Sequence, residues 1–230
     1  MMLLGQRANG KSYQAKKVVL EDAYHHDKLF IYLRRWERDI KQDYVTEYFS
    51  DMPIKEITNG VYTGVLAYQG YIYFYNLDDD NKIVKGKTIG RYLALNLNER
   101  YKSQVFKGYD YLIYEEFITD KLYLDNEPRT LMQLVSTIFR DRKGTVFLVG
   151  NTLSRVCPYF SEWSLTGTLK QKPGTIEVYH YHVEDDVIDV AVEYCANSNK
   201  TNTMFFGQAS KQIISGEWDT EDLPHLPGDQ

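Results

Sequence analysis

The chain has 230 residues, 43% apolar and 26% charged, a mixture that excludes a disordered or collagen-like chain and fits one sizeable α/β domain with a small appendage. The net charge of −5 is unevenly spread: residues 1–176 carry 25 basic and 21 acidic groups, whereas from Glu177 onward 11 acids face only Lys200 and Lys211, so either the body alone suits a polyanion or the acidic stretch is a solvated surface. Cys157 and Cys195 stand in no metal-ligand spacing, which points to a reducing compartment without structural zinc. No apolar run approaches the roughly 18 residues of a membrane span, and Met1 to Leu4 is too short for the apolar region of a signal peptide, so a cytosolic protein is expected. Strand preference accounts for the 20 tyrosines, and stacking on nucleotides is the alternative.

Met1-Met2-Leu3-Leu4 is the only stretch available as a buried strand ahead of Gly5-Gln6-Arg7-Ala8-Asn9-Gly10-Lys11-Ser12. That octapeptide fits G-x-x-x-x-G-K-S/T at every fixed position, the pattern whose backbone N–H groups wrap a triphosphate. Its glycines allow backbone conformations and close approaches that a Cβ blocks. A helix starting near Gly10 points the positive end of its dipole at the phosphates. ATP is therefore expected along Gly5, Gln6, Arg7, Ala8, Asn9, Gly10, Lys11, Ser12 and Tyr13, with Lys11 neutralising β- and γ-phosphate charge and Ser12 placing its hydroxyl on Mg²⁺.

Lys11 to about Ala23 reads as a helix with Tyr13, Ala15, Val18, Val19 and Leu20 towards a core, and Leu29 to Leu33 as a parallel strand covered on both faces. Helix then strand, directly after such a loop, is the order of a nucleotide-binding α/β sheet. Arg34 and Arg35 follow at the strand's carboxyl end, where open α/β sheets bind ligands; they read as phosphate sensors or as a surface basic pair. Trp36 to Phe49 looks helical. Asn59 to Asn76 looks like a hairpin turning near Gln69-Gly70, and Asp78-Asp79-Asp80-Asn81 like a turn whose spacing does not match a calcium loop. Arg91 to Leu95 is a further strand candidate, followed by a polar, basic stretch with Arg100, Lys102 and Lys107.

Tyr109-Asp110-Tyr111-Leu112-Ile113-Tyr114-Glu115-Glu116 is a buried-strand run ending in two carboxylates. In P-loop ATPases the corresponding strand ends in an acid for Mg²⁺, followed by a glutamate that polarises the attacking water. Glu115 takes the metal position and Glu116 that of the catalytic base. The metal position usually carries Asp, and Glu115 is one methylene longer. Pro128 suits the start of a helix whose Leu131, Leu134, Val135 and Ile138 share a face. This helix runs into Arg140, Arg142 and Lys143, cations that complement its dipole. Thr145 to Gly150 is a third apolar strand, ending at Asn151, which reads as a sensor of γ-phosphate or water or as turn chemistry.

The motifs Ile-Tyr-Leu-Arg-Arg-Trp (31–36), Lys102-Ser103, Glu-Glu-Phe (115–117), Ile-Phe-Arg-Asp-Arg (138–142), Gly-Asn-Thr (150–152) and Pro-Tyr-Phe (158–160), in that order, resemble the DNA packaging, or encapsidation, ATPases of small tailed phages with protein-primed genomes. The resemblance covers residues 3–165 well and continues weakly to about 218. It implies an α/β fold of the P-loop NTPase class with an additional strand between the Walker strands, translocase-like, its mainly parallel sheet flanked by helices. It is also similar to a terminase large subunit without the small subunit. It further implies a ring, a pentamer by the same resemblance, in which Arg140 is a finger reaching the neighbouring subunit's nucleotide, Lys102 a second trans-acting cation and Asn151 the coupling residue. A trans-acting cation stabilises charge on the transferring phosphoryl group and makes hydrolysis depend on subunit contact.

The family has about twenty more residues before the loop and a nuclease-shaped C-terminal domain. This chain is therefore expected to be the ATPase domain, residues 1–166, with linker in 167–230: a strand from Thr175 to Tyr181, a helix from Val183 to Cys195 and a Pro-rich flexible end around Leu223 to Gly228. The resulting expectation is a Mg²⁺-dependent ATPase that moves double-stranded DNA into a preformed procapsid. It would work in the host cytoplasm and transiently on the procapsid, with the portal and a scaffold RNA as further candidate partners and no membrane. Another P-loop translocase, a helicase, and a nucleotide-dependent ring scaffold without turnover are the rival readings.

Overall fold

The computed structural model describes residues 1–140, 142–183 and 186–196. They divide into two compact units. Residues 1–11, 116–123 and 148–196 form part of the first, and residues 12–115 and 124–147 belong to the second.

In the first unit, β1 (Met2–Gly5) pairs in parallel with residues 148–151 of β7 (Thr145–Asn151), Gly5 lying opposite Asn151. On its other side β1 pairs in parallel with β9 (Asp186–Tyr194), which forms an antiparallel hairpin with β8 (Thr175–Val183). Val183 to Cys195 is thus mostly strand, not the helix expected from the sequence. Val190, Val192 and Tyr194 recur with period two, and β-branched residues that alternate in this way fit a pleated surface better than a helix. The helix α6 (Pro158–Glu162) buries Tyr159 and Phe160, whose rings meet Phe117 edge-on. The stretch Leu223 to Gly228 lies outside the described residues, as does Asp141.

The second unit carries strands in the order β3-β4-β5-β2-β6. Parallel pairing joins β5 (Ile83–Ala94), β2 (Leu29–Arg34) and β6 (Tyr109–Glu115), while β3 (Gly64–Tyr68) and β4 (Tyr71–Leu77) add antiparallel strands at one edge. The expected hairpin is present. Gln69 and Gly70 both have positive φ, 48° and 85°, as a two-residue type I′ turn requires. Burial on both faces explains the unbroken apolar runs: Phe30, Ile31, Tyr32 and Leu33 of β2 and Leu112, Ile113 and Tyr114 of β6 are all buried.

Helix α1 (Lys11–His25) buries Ala15, Lys16, Val19, Leu20 and Ala23. Val18, expected in the core, is exposed because it lies off the stripe that spacings of three and four place on one face. Trp36 to Phe49 is not one helix. A 3₁₀ turn at Glu37–Asp39 is separated from α2 (Gln42–Tyr48) by Lys41, whose ψ of 144° is incompatible with helix. Two further short helices, α3 (Ile54–Ile57) and α4 (Asn98–Tyr101), precede α5 (Glu127–Phe139), which has Pro128 in its first turn and Leu131, Leu134, Ile138 and Phe139 buried. Each fully buried aliphatic or aromatic side chain contributes about 1.5–3 kcal/mol.

Candidate active site

The loop after β1 is shaped by its small residues. Gly5 has φ 143°, and a Cβ there would stand 2.4 Å from the Asn9 amide. Gly10 has φ 89° and Ala8 φ 61°, conformations open to glycine and costly to other residues. The loop closes on Lys11, whose side chain is buried. Its ammonium donates to the carbonyl oxygens of Gly5 at 3.2 Å and Gln6 at 2.5 Å, to Asn9 Oδ1 at 3.0 Å and to Asn151 Oδ1 at 3.1 Å. Asn151 sits where the sequence placed it, at the carboxyl end of β7, and the β1–β7 register carries it to the loop. The Thr152 amide adds a hydrogen bond to the Gly5 carbonyl at 3.2 Å. Asn9 Nδ2 is buried and has no hydrogen-bond partner among the described residues, a donor that an acceptor group would satisfy. Arg7 and Ala8 are exposed, and Gln6 is buried. Cys195, beside Gly5, has its thiol pushed up to about 11, first by burial and then by the charge of Glu193.

Glu116 is exposed at the end of the carboxylate run and has φ 57°. A left-handed backbone at a glutamate costs of order 1 kcal/mol, strain that collects at functional positions. The next amide, of Phe117, is anchored to the Val149 carbonyl at 3.3 Å.

In the second unit Ser12 and Tyr13 stand half-buried in the first turn of α1. Glu115 ends β6 with only 7% of its surface exposed. Its Oε1 accepts a hydrogen bond from the Tyr48 hydroxyl at 2.7 Å. Burial, and after it the negative charge of Glu115, hold the Tyr48 phenol well above its ordinary value, so it remains a donor at neutral pH. A hydroxyl and a carboxylate are the hard oxygen donors that Mg²⁺ takes.

Arg35 corrects the surface reading offered for it. It is buried, with its Nε and Nη2 on Glu127 at 2.6 and 3.0 Å. Glu127 also accepts from the Tyr114 hydroxyl at 2.7 Å and the Leu124 amide at 2.9 Å. Arg34 lies within 3.5 Å of the Tyr32 hydroxyl. Arg142 plays the helix-end role anticipated for it, bonding the carbonyls of Ile138, Phe106 and Tyr109. Arg140, one residue past α5, is exposed with φ 48°. Lys102 is exposed too, paired with Glu99 at 2.6 Å.

Tyr48, Lys16 and Glu127 escaped the sequence reading. One tyrosine among twenty carries no signal, but a lysine four residues after Ser12, on the apolar stripe of α1, was a usable one.

The sequence model of the podovirus DNA encapsidation protein (Gp16) family matches residues 1–209. The chain belongs to that family. The DNA packaging protein of Bacillus phage B103 is 26% identical over 174 residues, covering 74% of this chain and 49% of that protein. That of Bacillus phage PZA is 25% identical over 207 residues, covering 88% and 55%. This Gp16-family chain therefore spans about half the length of the curated relatives it matches. Among solved structures, the N-terminal domain of the DNA packaging ATPase from bacteriophage phi29 aligns with a TM-score of 0.59 at 24% identity, covering 82% of this chain and 88% of that one. The Phi-28 gp11 DNA packaging motor aligns with a TM-score of 0.66 at 18% identity, covering 100% and 67%. At such identities the likeness establishes the fold: this Gp16-family chain has the mixed α/β architecture, rich in parallel strands, of packaging ATPase domains.

Proposed function

We propose that this chain is the ATP-hydrolysing part of a motor that drives double-stranded DNA into a preformed procapsid. The observation that carries the reading is the buried Lys11 ammonium, held by two loop carbonyls, Asn9 and Asn151. A buried cation at a helix start, in a loop of left-handed residues, is what a triphosphate requires. The pairing of β1 with β7, a strand distant in sequence, supports an additional strand beside the Walker strand. Membership of an encapsidation family and likeness to packaging ATPase domains support the motor.

ATP would lie along residues 5–13, its γ-phosphate drawing Lys11 away from the carbonyl oxygens. Ser12 and Glu115 would hold Mg²⁺, which neutralises phosphate charge when bound. Glu116 would take the proton of the attacking water, and Asn151, released by Lys11, would report the state of the γ-phosphate. Arg140 and Lys102, both exposed, suit supply in trans to a neighbouring subunit of a ring, a pentamer by family resemblance. DNA contact would be mainly to phosphates and hence salt-dependent. The portal, the procapsid and a scaffold RNA would be the further partners, met in the host cytoplasm. Among the described residues no helix is long and apolar enough to cross a membrane.

The test is steady-state ATP hydrolysis over a range of protein concentration, with and without double-stranded DNA, beside Lys11→Ala. Specific activity should rise with concentration and vanish in the variant. Activity independent of concentration would remove the ring motor, and turnover by Lys11→Ala would remove the ATP site.

A further inference from the structure

Glu115 has one more rotatable bond than the aspartate usual at the metal position, so its carboxylate sweeps a wider volume unless something fixes it. The second unit contains such a support. The Tyr48 hydroxyl meets Oε1 of Glu115 at 2.7 Å, and Tyr48 is itself held on three sides. Its ring packs against Tyr32 of β2 with centroids 4.5 Å apart, and meets Phe49 edge-on at 4.9 Å. The Lys16 ammonium lies 4.6 Å from the ring centroid and donates to the Tyr48 carbonyl at 2.7 Å. Lys16 in turn pairs with Asp51, and its side chain is only 5% exposed. It stands one helical turn after Ser12, so one helix carries both the hydroxyl offered to the metal and the cation that seats Tyr48. The Tyr48 carbonyl is among the last of α2, where a cation is favoured by the helix dipole.

We propose that Tyr48 is a positioning residue for metal binding: its hydroxyl fixes the Glu115 carboxylate in one orientation, leaving Oε2 for a divalent cation, and so lets glutamate work where aspartate is usual. The inference rests on the ATPase reading above. It fits the rule that groups hydrogen-bonded to a metal's carboxylate ligand tune affinity about 10–100-fold. Phe at this position would keep the ring contacts with Tyr32 and Lys16 while losing only the hydrogen bond.

The experiment is a Mn²⁺ titration, read by electron paramagnetic resonance, of the full chain with a non-hydrolysable ATP analogue, for wild type, Tyr48→Phe, Glu115→Asp and the double variant. Metal-free affinity for a fluorescent nucleotide is measured in parallel. Tyr48→Phe should weaken Mn²⁺ about tenfold while metal-free nucleotide affinity stays unchanged. In the Glu115→Asp background, where the shorter carboxylate falls short of the hydroxyl, Tyr48→Phe should change nothing further. Equal Mn²⁺ affinity for wild type and Tyr48→Phe overturns the positioning role alone. So does an equal loss from Tyr48→Phe in both backgrounds, which would mark a general structural effect. Failure of the wild type to bind nucleotide with Mn²⁺ overturns the ATPase reading and this inference with it.

Discussion

Lys11 Nζ and Asn151 Oδ1 lie 3.1 Å apart across a sequence separation of 140 residues, brought together by the parallel register that sets Gly5 opposite Asn151. Asn151→Ala should remove one of the oxygens that hold the lysine without emptying its surroundings. ATP affinity should stay within a few-fold of wild type while turnover falls about tenfold or more. Separate measurement of kcat and of nucleotide affinity checks this, and an equal rise in KM with kcat intact would assign Asn151 to binding alone.

Glu116 carries a left-handed backbone and an exposed carboxylate. Glu116→Gln keeps the shape and removes the proposed base, so ATP should still bind while hydrolysis drops by about 10²–10⁴-fold. A nucleotide-binding titration beside a phosphate-release assay distinguishes this from loss of the loop.

Arg140 is exposed beyond the end of α5. If it serves a neighbouring nucleotide, Arg140→Ala and Lys11→Ala subunits, each inactive alone, should regain activity when mixed, because mixed rings contain sites with both an intact loop and an intact finger. Absence of recovery at every mixing ratio, in rings shown to exchange subunits, would confine Arg140 to its own chain.

The Arg35–Glu127 pair is almost wholly buried, so either charge alone is left without solvent. Glu127→Ala should cost about 3–5 kcal/mol in urea unfolding, and Arg35→Met with Glu127→Leu together should cost much less. An exposed pair would lose under about 1 kcal/mol.

Asp22 lies under hydrogen bonds from Lys28 and Tyr111, with His26 beside it, and these hold its carboxyl down to about 2. A folded value below the unfolded one stabilises the protein above the unfolded pKa of about 4 and loses that contribution as pH falls towards about 2. Asp22→Asn should therefore be destabilised by about 1 kcal/mol at neutral pH, given the partial solvent exposure, and match wild type near pH 2. Chemical unfolding at stepped pH reads the convergence.

The residues that carry local rules were legible in the sequence. The left-handed glycines and the lysine of the loop, the hairpin at Gln69-Gly70, the doubly buried strands and the Pro128 helix start each follow from a short-range pattern, since φ restrictions and apolar periodicity act over a few residues. The helix expected at Val183 to Cys195 failed because a short apolar stretch fits helix or strand until a partner is present, and pairing with β1, nearly the whole chain away, supplied it. Arg35 had the same origin: it reads as a surface group until Glu127, 92 residues later, makes it half of a buried ion pair. By itself the sequence determined the chemistry available, a glycine-bounded loop ending in Lys11-Ser12 and two carboxylates at a strand end. Only the tertiary structure decided which groups support that chemistry, Asn151 on Lys11 and Tyr48 on Glu115, because hydrogen bonds between distant residues depend on strand register and helix packing, which no local pattern encodes.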